Sequence, residues 1–186
     1  MKRSTFILSA IAASPLGAFG GISHPPFQAS HKPFKVNAGE ARFGTHYKMK
    51  GLTSNTLDIK ISGKDTNNAL VVFEQTGQTP NGGPPLHIHI DQDEWFFVTE
   101  GEYLFQCGNE RFQLKEGDTI FLPRNIPHAF IQLTEKAKTI VSFMPAGKME
   151  AFFAITDKWI TVPAREDLAR IFADHGMKIV GAPITL

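Results

Sequence analysis

The sequence predicts an all-β fold, a single barrel or sandwich built from short strands, and three observations predict it. Between residues 34 and 146, short runs rich in β-branched and aromatic residues are separated by turn residues. That is the pattern of closely spaced strands and not of a parallel sheet with crossover helices. The composition agrees, because 16 Phe, 16 Gly and 12 Pro suit strands that pack and turns that reverse the chain. The 186 residues, 42% hydrophobic, suffice for one buried core and are short for two.

At the N-terminus, Lys2-Arg3 precede an apolar stretch over residues 6–13 and a small, turn-forming stretch over 14–21. Residues 1–21 therefore read as a signal peptide, and the protein is expected to be exported to the periplasm or beyond. The apolar run is too short for a stable membrane span. The export route is the general secretory one or a degenerate twin-arginine one, with Ser4 where a second arginine belongs. Residues 22–33 carry no hydrophobic period and read as a flexible arm.

Residues 34–147 are the expected barrel. Leu57, Ile59 and Ile61 share one parity in the run 56–62. Strand-like runs follow at 69–75, 86–90, 94–99, 102–107, 111–114, 119–122, 128–133 and 138–144, with a Gly/Pro loop at 77–85. Residues 148–186 change character and are expected to form a helical extension packed on the outside of the barrel. A short helix is predicted over 149–159 and a better one over 163–175, where Leu168, Ile171, Phe172 and His175 fall at helical spacing. Pro163 suits the first turn, Glu166 and Asp167 the positive end, and Gly176 the stop.

A formal net charge of +1 with scattered Lys and Arg gives no basic stripe, which excludes nucleic acid as an expected partner. Cys107 is the single cysteine, so no intramolecular disulfide forms. It shares parity with Tyr103 and Phe105 and reads as a small buried hydrophobe.

The chemistry concentrates in two stretches. In Leu86-His87-Ile88-His89-Ile90 the two imidazoles leave a strand on the same face, close enough to grip one ion. A polar turn of Asp91 to Asp93 lets the chain double back and places Glu94 on an adjacent strand, with Phe96 and Val98 on its parity. Asp91 and Asp93 are rival carboxylates, but turn residues of this kind are ordinarily solvated. In the second stretch a strand ends at Pro123, a turn follows through Arg124 and Asn125, and His128 opens the next strand beside Phe130 and Gln132. Three imidazoles and a carboxylate suit one divalent transition metal, Fe, Mn, Ni, Co, Cu or Zn, and suit calcium or magnesium poorly. A lone histidine is more often structural than a ligand, and His24, His31, His46 and His175 are read that way.

These stretches resemble the cupins. The first cupin motif has His-x-His, then Glu, then six residues and Gly, and His87, His89, Glu94 and Gly101 match it. Gly117, Pro123 and His128 match the second motif, with Asn125 in place of a turn glycine and Gln132 in place of its final asparagine. Asn tolerates a left-handed turn well, so the first departure leaves the turn intact. The resemblance implies a double-stranded β-helix, or jelly roll, with His87, His89, Glu94 and His128 as metal ligands and a possible homodimer. More narrowly, the Gly-Gly-Pro-Pro-Leu-His-Ile-His approach resembles small bacterial monocupins related to quercetin 2,3-dioxygenases.

That likeness implies a dioxygenase acting on a phenolic or enolisable ring compound of the flavonol kind, with dioxygen as co-substrate and Glu94 as ligand and general base. Phe73, Phe96, Phe121, Phe130 and Gln132 are the expected substrate-binding lining, although core packing explains the phenylalanines equally well. Arg124 marks a turn at the barrel rim. Two rivals stay open: a non-catalytic cupin that binds a metal or small molecule, and another metal-dependent reaction such as decarboxylation, oxidation or isomerisation.

Overall fold

The computed structural model describes residues 32–49 and 54–186. The expected signal over 1–21, and all of the arm up to residue 31, lie outside the described residues. In chain order the strands are β1 (His46–Lys48), β2 (Asn55–Ile61), β3 (Val71–Gly77), β4 (Pro85–His89), β5 (Asp93–Glu100), β6 (Glu102–Cys107), β7 (Glu110–Lys115), β8 (Thr119–Leu122), β9 (His128–Gln132) and β10 (Ala137–Met144). Helices α1 (Met149–Thr156) and α2 (Arg165–Asp174) follow, and β11 (Met177–Pro183) ends the chain.

Two antiparallel sheets form a jelly roll. One has the order β1-β2-β3-β10-β5-β8 and the other β11-β4-β9-β6-β7. Strand parity decides what faces inward. Along β3 the pattern alternates strictly, with Val71, Phe73 and Gln75 buried, and β5 turns Glu94, Phe96 and Val98 inward. From the other sheet, β6 contributes Tyr103 and Phe105. Phe73 packs edge-on against Phe143 and Phe153, with ring centroids 6.2 and 5.0 Å away, so α1 joins the core. Hairpin β5–β6 reverses at Gly101, whose φ of +76° and close approach to the Lys136 carbonyl leave no room for a side chain.

The tail differs from expectation in its last residues. Its helices form where the apolar spacing places them, with Leu168 and Phe172 of α2 buried. Their residues Met149, Phe152, Phe153 and Phe172 also line the interior chamber. The last residues are not helical, since β11 pairs with β4 through Met177↔His89 and Ile179↔His87. Along β11 Met177 is buried and Ile179 and Gly181 are half-buried while Lys178, Val180 and Ala182 are exposed, and apolar Val180 and Ala182 on the outer parity mask that alternation in the sequence. The open edge of β4 supplies its partner, and an unpaired edge is what a sheet protects.

Candidate metal centre

Each element delivers its ligand by parity. On β4, inward residues His87 and His89 alternate with Leu86 and Ile88. β9 sets His128 directly opposite His87. Glu94 enters from the other sheet, where β5 pairs it with Phe143 of β10 and Leu122 of β8. All four side chains are buried, and one ligand atom from each lies within 4.8 Å of the others.

Hydrogen bonds fix the imidazoles for coordination. Nδ1 of His87 lies 2.8 Å from the Pro85 carbonyl, Nδ1 of His89 3.3 Å from Gln92 Oε1, and Nδ1 of His128 2.9 Å from the Ile126 carbonyl. A carbonyl oxygen only accepts, so each Nδ1 carries the proton and each Nε2 keeps its lone pair. Glu94 Oε2 sits 3.1 Å from His128 Nε2 and 3.6 Å from His89 Nε2. The shorter approach lacks hydrogen-bond alignment, and His128 Nε2 is buried without a partner.

Burial, reinforced by the neighbouring imidazoles, holds the His87 pKa well below the usual histidine range. Burial lowers that of His89 as well, against the pull of Glu94. Neutral imidazoles are the ligand form. An orphaned nitrogen, converging lone pairs and one carboxylate fit a borderline divalent transition metal held by His87, His89, Glu94 and His128.

The surrounding turns are fastened to this site. Asn125 takes the left-handed conformation, φ 63°, expected of a residue in the place of glycine. Its backbone N–H donates to the His89 carbonyl at 2.8 Å and its side-chain amide to the Ile90 carbonyl at 3.1 Å. Arg124 binds Asp93 through Nε, Nη2 and its backbone N–H, at 3.1, 2.7 and 2.9 Å. This guanidinium holds the Asp93 pKa down at about 2. Asp93 is thus engaged away from the site and Asp91 is exposed, which leaves Glu94 as the ligand carboxylate.

Beside the ligands lies a cavity of about 60 Å³, lined by Phe96 and Phe130 with Leu57, Val141, Phe152 and Phe172 among others. Phe96 and Phe130 stand where the sequence places them. Three expected lining residues do not reach it. Phe121 is 54% exposed, because β8 pairs it with Trp95 on the outer face of the sheet. Phe73 is buried in the core packing against Phe143 and Phe153. Gln132 lies at the end of β9, where its amide donates to the Thr134 and Glu135 carbonyls.

Sequence reasoning missed the chamber residues from the tail, Met149, Phe152, Phe153, Phe172 and Met177, and two polar ones, Asn55 and Gln75. The spacing of Leu168 and Phe172 signals a buried helix face but not what it covers. Gln92, which orients His89, carries no sequence signal beyond its place in the polar turn. Of the other histidines, His46 pairs with Asp58 at 2.7 Å and His175 donates to the Ile171 carbonyl at 2.7 Å. Cys107 is half-buried, and burial pushes its thiol pKa up.

Comparison with known proteins bears on the fold. Residues 77–144 match the cupin domain family. An uncharacterized protein of Methanocaldococcus jannaschii is 42% identical over 43 residues, 23% of this chain and 34% of that protein. The chain thus spans about a third of that relative's length. An RmlC-like cupin from Shewanella frigidimarina superposes with a TM-score of 0.53 at 18% identity, over 64% of this chain and 96% of that one. A predicted oxalate decarboxylase from Thermotoga maritima gives 0.52 at 15% identity, over 60% and 99%. At these identities the solved structures speak to fold alone. Residues 77–144 therefore carry a cupin domain, and the fold built around them is the cupin fold.

Proposed function

We propose that this cupin-fold protein is a metal-dependent dioxygenase acting on a compact phenolic or enolisable ring compound. The observation that carries the reading is the lining of the chamber, where aromatic and aliphatic side chains meet the ligand set and no Lys or Arg is present among the described lining residues. An anionic substrate such as a small dicarboxylate needs a cationic anchor, so the decarboxylase alternative is less well supported.

A bound transition metal supplies Lewis acidity and redox capacity. The chain does the rest. His87, His89 and His128 hold fixed tautomers, Glu94 Oε2 accepts the proton of the substrate hydroxyl, and Phe96 and Phe130 orient the ring and exclude water. Cavity size refines the substrate. At about 60 Å³ the chamber is smaller than the ~150 Å³ that accepts benzene. A single ring enters by displacing lining side chains such as Phe152 and Phe172, and a three-ring flavonol demands a much wider opening.

The test is oxygen uptake by protein loaded in turn with Fe, Mn, Ni, Co, Cu and Zn, against a panel of single-ring phenols and a flavonol. Uptake with a phenol supports the reading, and none across the panel overturns it. The closed chamber also favours a second reading, a non-catalytic metal or small-molecule binder, which predicts retention of a probe without oxygen consumption. We also propose export on the strength of residues 1–21, and a mature N-terminus near residue 22 in extracytoplasmic material is the expected result.

A further inference from the structure

The chamber has a second polar end that the metal chemistry does not use. Gln75 projects inward from β3, lines the cavity and is buried, and its Nε2 has no hydrogen-bond partner. Asn55 on β2 lines the cavity beside the inward face of the same sheet. Tyr103 is fully buried with its hydroxyl unpartnered. It lies near the Gln75 side chain without forming an aligned hydrogen bond. Thr139, opposite Gln75 in the β3–β10 register, also buries an unpartnered hydroxyl.

Native cores rarely leave one buried donor unpaired, and a cluster calls for an explanation. Its position suggests one. Along β10, Phe143 faces Glu94 and Thr139 faces Gln75, so the two ends are four residues apart, about 13 Å along the sheet. Side chains reach inward from both ends, and a single substituted ring bridges them once lining side chains are displaced from the chamber of about 60 Å³. Between them the lining is apolar: Leu57, Phe96, Phe130 and Val141.

We propose that Gln75, supported by Asn55 and the Tyr103 hydroxyl, is the distal specificity pole of the chamber. Its amide donates to a carbonyl oxygen at the end of the ring opposite the metal-binding oxygens. The substrate class is an uncharged single-ring compound with adjacent oxygens at one end and a hydrogen-bond acceptor at the other. This rests on the ring-compound reading of the chamber.

The test uses full-length protein loaded with cobalt(II) under nitrogen and two catechols of matching shape, 3,4-dihydroxyacetophenone and 4-isopropylcatechol. Binding is read from the visible cobalt bands, and the affinity ratio of ketone to hydrocarbon is compared between wild type and Gln75→Met. Comparing ratios cancels the intrinsic difference between the two catechols. The ratio is expected to fall about tenfold in the variant, the worth of one hydrogen bond, with cobalt content unchanged.

Tyr103→Phe, which removes a single oxygen, is expected to lower the ratio about threefold, the weak end of the same range, and decides the matter if Gln75→Met does not fold. Equal ratios with both catechols bound overturn the distal pole and leave the ring-compound reading standing, with water as the natural partner of Gln75. No change in the cobalt bands with either catechol overturns the ring-compound reading and the distal pole together.

Discussion

Gln92 joins His89 to the start of the helical tail. Its carbonyl oxygen lies 3.3 Å from His89 Nδ1, while its amide nitrogen donates at 2.9 Å to both the Pro145 and the Ala146 carbonyls. The chain passes so close at Gly147, φ +55°, that a side chain there would collide with Gln92. One buried carboxamide therefore sets the tautomer of a ligand and anchors the turn into α1.

Gln92→Leu is expected to weaken metal binding about 10- to 100-fold, the usual effect of removing the partner that orients a ligand imidazole. It also orphans two carbonyls and costs about 1–3 kcal/mol of stability. Chelator competition and urea unfolding of the metal-free protein measure the two effects separately. Unchanged affinity would show that His89 needs no outer support.

His128→Ala is expected to lose the metal, because it removes one of three imidazoles and leaves Glu94 Oε2 without its nearest neighbour. Elemental analysis of protein purified without added metal reads this directly. Glu94→Gln keeps the shape but removes the proton acceptor. If Glu94 acts as base, turnover falls about 100-fold or more at matched metal content, whereas a ligand-only role shows first as lost metal.

The Arg124–Asp93 pair predicts a pH dependence. Hydrogen bonds from Arg124 lower the folded pKa of Asp93 to about 2, so its stabilisation is complete above the unfolded value, ~3.9. It is lost as pH falls from there through the folded value. Asp93→Asn is therefore expected to be less stable than wild type at neutral pH, with the difference shrinking between about pH 4 and 2. Melting temperatures across that range check the sign, and a gap that widens on acidification would contradict it.

Outward and inward phenylalanines separate cleanly by stability. Phe121→Ser, at an exposed position, is expected to change stability by no more than about 0.5 kcal/mol. Phe73→Ala, in the core packing, is expected to cost about 3–5 kcal/mol. Urea denaturation of the two variants tests the parity of β8 against that of β3.

By itself the sequence determined the strands from β2 to β10 and the four side chains that cluster as candidate ligands. Alternation puts His87 and His89 on one face, and the polar turn returns the chain with Glu94 inward, because side-chain period and turn chemistry are local properties. It also determined the left-handed turn at Asn125. What it could not decide was anything set by which strand lies beside which.

Phe121 carries the same apolar signal as Phe96, and only the pairing of β8 with β5 shows that it faces outward. Apolar Val180 and Ala182 on the exposed face of β11 mask its alternation, and it is a strand because β4 offers it free backbone groups. The helices read as amphipathic, but only the closed barrel shows that their buried faces seal a chamber. Gln75 looked like any polar residue in a strand. The tertiary structure placed it inside, four residues along the sheet from the level of Glu94, where long-range packing and not local preference fixes which groups share a cavity.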